Sequence, residues 1–415
     1  MAEVLPFRAY RYTSRAGDPA RLLTQPYDKI TPEMQERYLA ASPYNYVHIT
    51  LDRARPGDSE SDNVYTRAAA RLREWIAQGI LARDPEPAFY PYLQEFQLPD
   101  SGERIVRRGF IGLGPVADYS EGVVYRHEQT LAGPKKDRLE LLRAAKAHTG
   151  QLFLLYSDPE FTVEALLEEA AAQAPLVEVE DEYGVVHRLW RIADPARTAE
   201  ITRLMADKKL LIADGHHRYE TALAYARENP QCAAARRVMM TFVNLHSPGL
   251  KVLATHRLLR GLPGFDPDET IRKARTRFRV AADVPVETLR ERLAAADEGL
   301  VRIGLAAGGE PRIWLFERER APGELDVSAL HSDILERILG IDEEAMREQR
   351  YIAYQRGLRA SLEQVQAGHA QAAFLLPPTP VEKVAEVAFS GGVMPQKSTD
   401  FYPKLLDGLT TYVME

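Results

Sequence analysis

The segment Lys208–Pro230, KKLLIADGHHRYETALAYARENP, constrains the fold more than any other stretch of the chain. An apolar run ends at Asp214, Gly215 permits a sharp turn, and a helical pattern follows until Asn229-Pro230. Strand, tight turn and helix in that order place Asp214 at the C-terminal edge of a strand, where open α/β sheets bind ligands. The helix would begin with His216, His217 and Arg218. A helix N-terminus carries partial positive charge and favours acids. Basic side chains there make sense when an anion sits among them, held by free N–H groups and side chains together.

The rest of the chain alternates strand-like and helix-like segments, which predicts an α/β or mixed α+β class. The pattern of DNVYTRAAARLREWIAQGIL predicts a helix capped by Asp62, with Gly79 near its end. AFYPYLQEFQ and ERIVRRGFIGL read as a hairpin turning at Pro99–Gly102, and Tyr44–Leu51 reads as a buried strand. GPKKDRLELLRAAKAHTG reads as a helix opened by Gly133-Pro134 and closed by Gly150, followed by a strand from Gln151 to Ser157. The best linker is Gly261–Thr270. It suggests a binding and catalytic region over 1–262, a smaller α+β domain over 263–378, and a C-terminal segment over 379–415. That last segment is apolar enough to dock back on the body.

Two further segments concentrate unusual residues. Arg126-His127-Glu128-Gln129-Thr130 precedes Gly133-Pro134-Lys135-Lys136-Asp137-Arg138, again a glycine turn opening a helix with cations in its first turn. The Walker pattern GxxxxGK[ST] is absent. Met394–Lys404, MPQKSTDFYPK, sets the hydroxyls of Ser398 and Thr399 beside Lys397 and Lys404, after the turn at Gly391-Gly392. Three anion-seeking segments so far apart would form one composite pocket if the fold brings them together, and a phosphorylated molecule is its natural ligand. Tyr27, Asp28 and Asn45, near the N-terminus, add polar groups that could line the same pocket or pack the core.

Composition narrows the class. Basic residues number 53 and acidic ones 60, a net charge of -7, which argues against a nucleic-acid partner. A single cysteine, Cys232, excludes an intramolecular disulfide and a Cys-rich zinc site. No apolar run approaches the ~18 residues of a membrane span, and the N-terminus lacks the apolar core of a signal peptide. The expectation is a soluble cytoplasmic protein with no membrane partner; a homo-oligomer is compatible with the sequence.

PYDKI, NYVHI, HEQTLAGPKKDRLELLRA, LLIADGHHRYETAL, ATHRL and MPQKSTDFYPKLL are similar to the bacterial and archaeal domain-of-unknown-function family numbered ten-fifteen, from about residue 5 to the C-terminus. LLIADGHHRYETAL also resembles the phosphate-binding motif of the ParB/sulfiredoxin-like superfamily, whose free serine kinases place DGHHR between a strand and a helix. That resemblance covers roughly Ala206 to Arg257. It implies a ParB/sulfiredoxin-like nucleotide-binding core, with Asp214, His216, His217 and Arg218 contacting nucleotide phosphates.

The leading expectation is a phosphotransferase that uses ATP or ADP, with Mg²⁺, on a small hydroxylated metabolite such as free L-serine. His216, His217, Arg218, Lys135 and Arg138 would hold the phosphates, with Gly215, Asp137, Lys397, Ser398 and Thr399 completing the binding set. Asp214 would orient a metal or a histidine, and Glu128 or Asp28 would accept the hydroxyl proton. Tyr27, Asp28, Asn45 and His127 would face the substrate. No residue declares itself a metal ligand. The alternatives are a nucleotide-binding switch of ParB type and a phosphatase acting on an ester such as phosphoserine, the latter weakened by the absence of an RHG signature. A metal hydrolase ranks last, because HExxH is missing and the adjacent His216 and His217 diverge by about 100° on a helix.

Overall fold

Short apolar runs bounded by turns build the centre of the larger sheet. Leu210–Asp214 and Leu152–Tyr156 are buried on both faces, and such strands read as continuous hydrophobic stretches. The computed structural model describes residues 2–99, 101–128, 132–295 and 299–414, with the side chains of 132–134 outside that description. Among these residues the larger sheet has eight strands, in the order Val124–Tyr125, Leu210–Asp214, Leu152–Tyr156, Arg237–Asn244, Arg104–Pro115, Tyr90–Gln97, Val186–Leu189 and Val177–Glu180. Pairings are mixed: Leu210–Asp214 runs parallel to Val124–Tyr125 and antiparallel to Leu152–Tyr156. The fold is therefore a mixed α/β arrangement.

A six-stranded antiparallel sheet forms the second layer system, ordered Arg279–Ala281, Arg312–Glu319, Leu300–Ala307, Ala372–Leu375, Thr255–Leu259 and Ile352–Arg356. Thr255–Leu259 precedes the linker candidate at Gly261–Thr270. The change of sheet thus falls between Asn244 and Thr255, ahead of the division drawn at 262. Pro267–Ala274 is already helical inside the supposed linker.

Three local expectations are corrected. Tyr44–Leu51 is not a strand: Val47–Thr50 is a short helix, and just ahead of it the Asn45 side chain accepts from Val47 N at 3.0 Å. The helix Val64–Ala77 is capped by Asn63 rather than Asp62, through a reciprocal capping box with Thr66. The helix Ala132–Ala145 stops short of Gly150. Lys146 turns left-handed at φ 48°, and Ala147–His148 then forms a strand. Asp100 of the hairpin turn and Gln129 and Thr130 of the second segment lie outside the described residues, as do the side chains of Gly133 and Pro134.

The C-terminal segment lies against the body. Phe401–Tyr402 pairs with Lys251–Val252, and Tyr412–Val413 with Ala147–His148. Two buried arginines clamp carbonyls of the strap between them. Arg257 Nη2 donates to Lys397 O at 3.1 Å, and Arg107 Nη1 donates to Tyr402 O at 3.1 Å. Gln94 Nε2 and Gln151 Nε2 donate to Lys404 O and Leu406 O at 2.8 and 2.9 Å. Buried donors satisfied by backbone carbonyls hold the strap at a fixed register. Among the described residues no helix is long and apolar enough to cross a membrane.

Candidate functional site

Everything in the site is arranged around one carboxylate. The pairing register shifts between Ile212 and Asp214, a bulge that re-aims Asp214 as the strand ends. Gly215 follows at φ +96° and opens the helix His216–Glu228 without any side-chain cap. The N–H groups of that first turn are thus offered without a capping side chain. A Cβ on Gly215 would lie 2.8 Å from Leu152 Cδ2 and 3.1 Å from Arg218 Nε. We expect Gly215→Ala to lower stability by about 1–3 kcal/mol and to displace the Arg218 guanidinium, checked by urea unfolding together with nucleotide titration.

Arg218, one turn along the helix, donates from Nη2 to Asp214 Oδ2 at 2.9 Å. Lys404 Nζ donates to Asp214 Oδ1 at 3.0 Å and lies 3.2 Å from Asp400. Asp400 in turn accepts from Arg356 Nε at 2.6 Å. The result is an alternating chain, Arg218–Asp214–Lys404–Asp400–Arg356. Burial alone would raise the Asp214 carboxyl, but Lys404, Arg218 and Lys29 outweigh it and hold it well below the usual carboxylate range. The same balance leaves Asp400 at about 2, with burial opposed by Lys404 and Arg356. Burial would also depress Lys404, yet Asp214 and Asp400 raise it above the ordinary lysine value.

The histidines behave differently from the sequence expectation. His127 Nδ1 lies 2.8 Å from the Ile212 carbonyl and Nε2 lies 2.8 Å from Thr399 Oγ1. A carbonyl only accepts, so Nδ1 carries the hydrogen and Nε2 accepts from the Thr399 hydroxyl. The His216 ring meets His127 edge-on with centroids 4.7 Å apart, and its buried Nε2 has no hydrogen-bond partner among the described residues. Burial lowers His127 to about 4 and His216 well below its usual value, and burial also lowers His217. His127 and His216 are neutral at pH 7 and do not serve as phosphate-holding cations. The charge of Arg218 at the helix start is met by Asp214, and that of Lys135 by Glu220 at 2.6 Å. The field of the helix is therefore offset in part by the protein's own carboxylates.

The three segments do meet. Met394 N donates to His127 O at 2.8 Å, and Lys397 N donates to Glu128 Oε1 at 3.3 Å. Lys397 is exposed and sits at φ 56°, in the left-handed region. Lys29, beside exposed Asp28 at 3.7 Å, lies within the fields of Lys404, Lys397 and Asp214. Burial lowers Lys29 first, and Lys404 lowers it further. Half-buried His217 lies within the fields of Glu220, Lys397, Asp28 and Lys135. Burial raises Glu128 above the ordinary carboxylate value, against the pull of Lys397.

Several other residues lie at the edge or hold structure. Arg138 is buried. It donates to Thr50 O at 2.8 Å and to Asp137 at 2.7 Å, and covers the Tyr27 ring at 4.1 Å. Asp137 also accepts from Tyr65 OH at 2.8 Å, so its carboxylate is occupied. Ser398 closes a turn by donating to Pro395 O at 2.5 Å, and Asn45 accepts from Val47 N and donates to Arg21 O, which takes both side chains out of the ligand-facing set. Lys29, Asp400 and Lys404 lie in segments the sequence marks but had no assigned role, and Arg356 and Asp407 were not singled out. The i,i+4 pair Asp400–Lys404 and the neighbours Asp28-Lys29 were the available signals.

Among the described residues no group of three or more His, Cys, Asp or Glu could hold a metal ion. Both oxygens of Asp214 already face cations. These side chains do not build a protein cage for Mg²⁺, an ion usually bound by one or two carboxylates plus substrate phosphates.

Residues 4–333 match the family described as "Protein of unknown function (DUF1015)", so the strap that carries Lys397 and Lys404 lies beyond the matched stretch. Comparison with curated proteins found no match. Among solved structures, the chain is similar to a conserved hypothetical protein from Pyrococcus furiosus, with 16% identity, coverage of 70% of this chain and 92% of that one, and a TM-score of 0.37. A free serine kinase in complex with AMP is similar at 17% identity, covering 67% and 83%, with a TM-score of 0.37. SbnI with C-terminal truncation, from Staphylococcus aureus, is similar at 12% identity, covering 72% and 85%, with a TM-score of 0.33. At these TM-scores the description of the fold rests on the chain's own geometry.

Proposed function

The chain belongs to the DUF1015 family, and from the site its fold assembles we propose that it is a nucleotide-dependent phosphotransferase acting on a small hydroxylated metabolite. The observation that carries this reading is an uncapped helix start at Gly215 with Arg218 in its first turn, Lys29 within the field of Asp214 and Lys397 within that of His217. N–H groups of a first helical turn flanked by cations suit phosphate oxygens. The likeness of LLIADGHHRYETAL to the ParB/sulfiredoxin-like phosphate motif points the same way. ATP or ADP is the donor in this reading, and free L-serine is the first acceptor to try.

The chain's own residues would do the following. Lys29, Lys397 and Arg218 neutralise the phosphates, while Asp214 and Lys404 keep Arg218 in place. The acceptor hydroxyl oxygen forms a new O–P bond as the bridging P–O bond of the nucleotide breaks. The nucleotide leaves with one phosphate fewer, and the hydroxyl proton passes to the Glu128 carboxylate. Mg²⁺, where present, supplies further charge neutralisation on the phosphates.

Glu128→Gln is expected to lower kcat by about 10²–10⁴-fold with nucleotide affinity kept. Glu128 must be ionised to act as base, and its value is raised by burial. Activity should therefore fall as pH drops through a midpoint above that of an ordinary glutamate. A pH–rate profile checks this, and a profile flat down to the ordinary carboxylate range would remove Glu128 from the role. Incubation with ATP or ADP, Mg²⁺ and a panel of amino acids and hydroxy acids, read by phosphorus NMR, tests the function itself. Tight nucleotide binding without product would favour a regulatory switch. Phosphate release from phosphoserine without nucleotide would favour a phosphatase.

A further inference from the structure

Arg218 also borders a small cavity. Tyr27, Thr50, Arg138, Thr149, Gly150 and Asp407 line it together with Arg218 itself. It leaves about 40 Å³ for the centres of water molecules, room for about three waters. That is space for a small metabolite rather than a nucleotide.

Its polar groups are of both signs. Asp407 is buried at 2% exposure, and its Oδ1 has no hydrogen-bond partner among the described residues. A buried carboxylate oxygen left open is costly unless a ligand donates to it. Arg138 donates from Nε to Asp137 and from Nη1 to Thr50 O, so its guanidinium keeps further N–H groups of the five it carries. Arg218 Nη1 borders the same space. A Cβ on Gly150 would lie 3.1 Å from that atom and 3.3 and 3.4 Å from the two oxygens of Asp407. A pure anion would meet Asp407 unfavourably, and a pure cation would meet two guanidinium groups.

We propose that this cavity is the acceptor subsite and that it selects a small zwitterion, with its carboxylate toward Arg138 and Arg218 Nη1 and its ammonium on Asp407 Oδ1. The assignment rests on the phosphotransferase reading above. Arg218 is then shared between the acceptor and the phosphates.

Calorimetric titration of the full chain with L-serine, glycerate and ethanolamine tests it, each with and without ADP. The three probes carry both charges, the carboxylate alone and the ammonium alone. The intact protein should bind L-serine at least tenfold more tightly than either of the others. Asp407→Asn, close to isosteric, should weaken L-serine at least tenfold and abolish its advantage over glycerate, while ADP affinity stays within about twofold. Gly150→Ala, which narrows the cavity while leaving its charges in number and sign unchanged, should also weaken L-serine. Equal binding of the three probes, or L-serine affinity unchanged in both variants, would overturn the subsite. Failure of the intact protein to bind ADP would instead strike the phosphotransferase reading, and the titrations without ADP would still decide the cavity.

Discussion

Lys404→Met is expected to lower folding stability by about 3–5 kcal/mol, the cost of breaking a buried charge pair from one side. Lys404 is 9% exposed and is the shared partner of Asp214 and Asp400. Its loss leaves Asp214 with Arg218, and Asp400 with Arg356, each short of half its compensation. The double variant Asp214→Asn with Lys404→Met removes charge of both signs and should recover a substantial part of the loss. The interaction term would be read from a double-mutant cycle in urea. Additive single effects would mean that the chain of charges is not coupled. Arg218→Ala should likewise lose stability as well as activity, because its guanidinium is largely buried against Asp214. Exposed surface cations behave differently.

The second large effect concerns ligand binding alone. Replacing Lys29 and Lys397 together with alanine should weaken nucleotide affinity by about 10²–10⁴-fold. A hydrogen bond to a charged group contributes about 1.5–3 kcal/mol, and two are removed. Lys397 is exposed and Lys29 half-buried, and neither bridges the buried carboxylate chain. Unfolding should therefore shift much less than in Lys404→Met. Affinity unchanged in the double variant would place the phosphates elsewhere.

The contrast between these two variants shows what sequence could reveal. Asp214, Gly215 and Arg218 were legible because strand end, turn and helix start are neighbours in the chain. Lys404 and Asp400 reach Asp214 only because Arg107, Arg257, Gln94 and Gln151 hold a distant strap by its carbonyls. No local pattern encodes that. The histidines illustrate a second limit. Their position at the helix start was readable, but their charge state depends on burial, and His127 and His216 are neutral for that reason. Tyr44–Leu51 illustrates a third, since a short apolar run fits strand and helix alike, and the chain there turns into the helix Val47–Thr50. The antiparallel second sheet takes in Thr255–Leu259 from ahead of the composition break, a pairing that loop chemistry does not encode.

The account stands on phosphate occupying the turn at Gly215. Crystals of the intact protein grown with ADP should show the diphosphate against the first-turn N–H groups of the helix His216–Glu228, with the side chains of Lys29, Lys397 and Arg218 within hydrogen-bond reach. A well-ordered nucleotide bound away from Gly215, or a turn empty at saturating ADP, would contradict it.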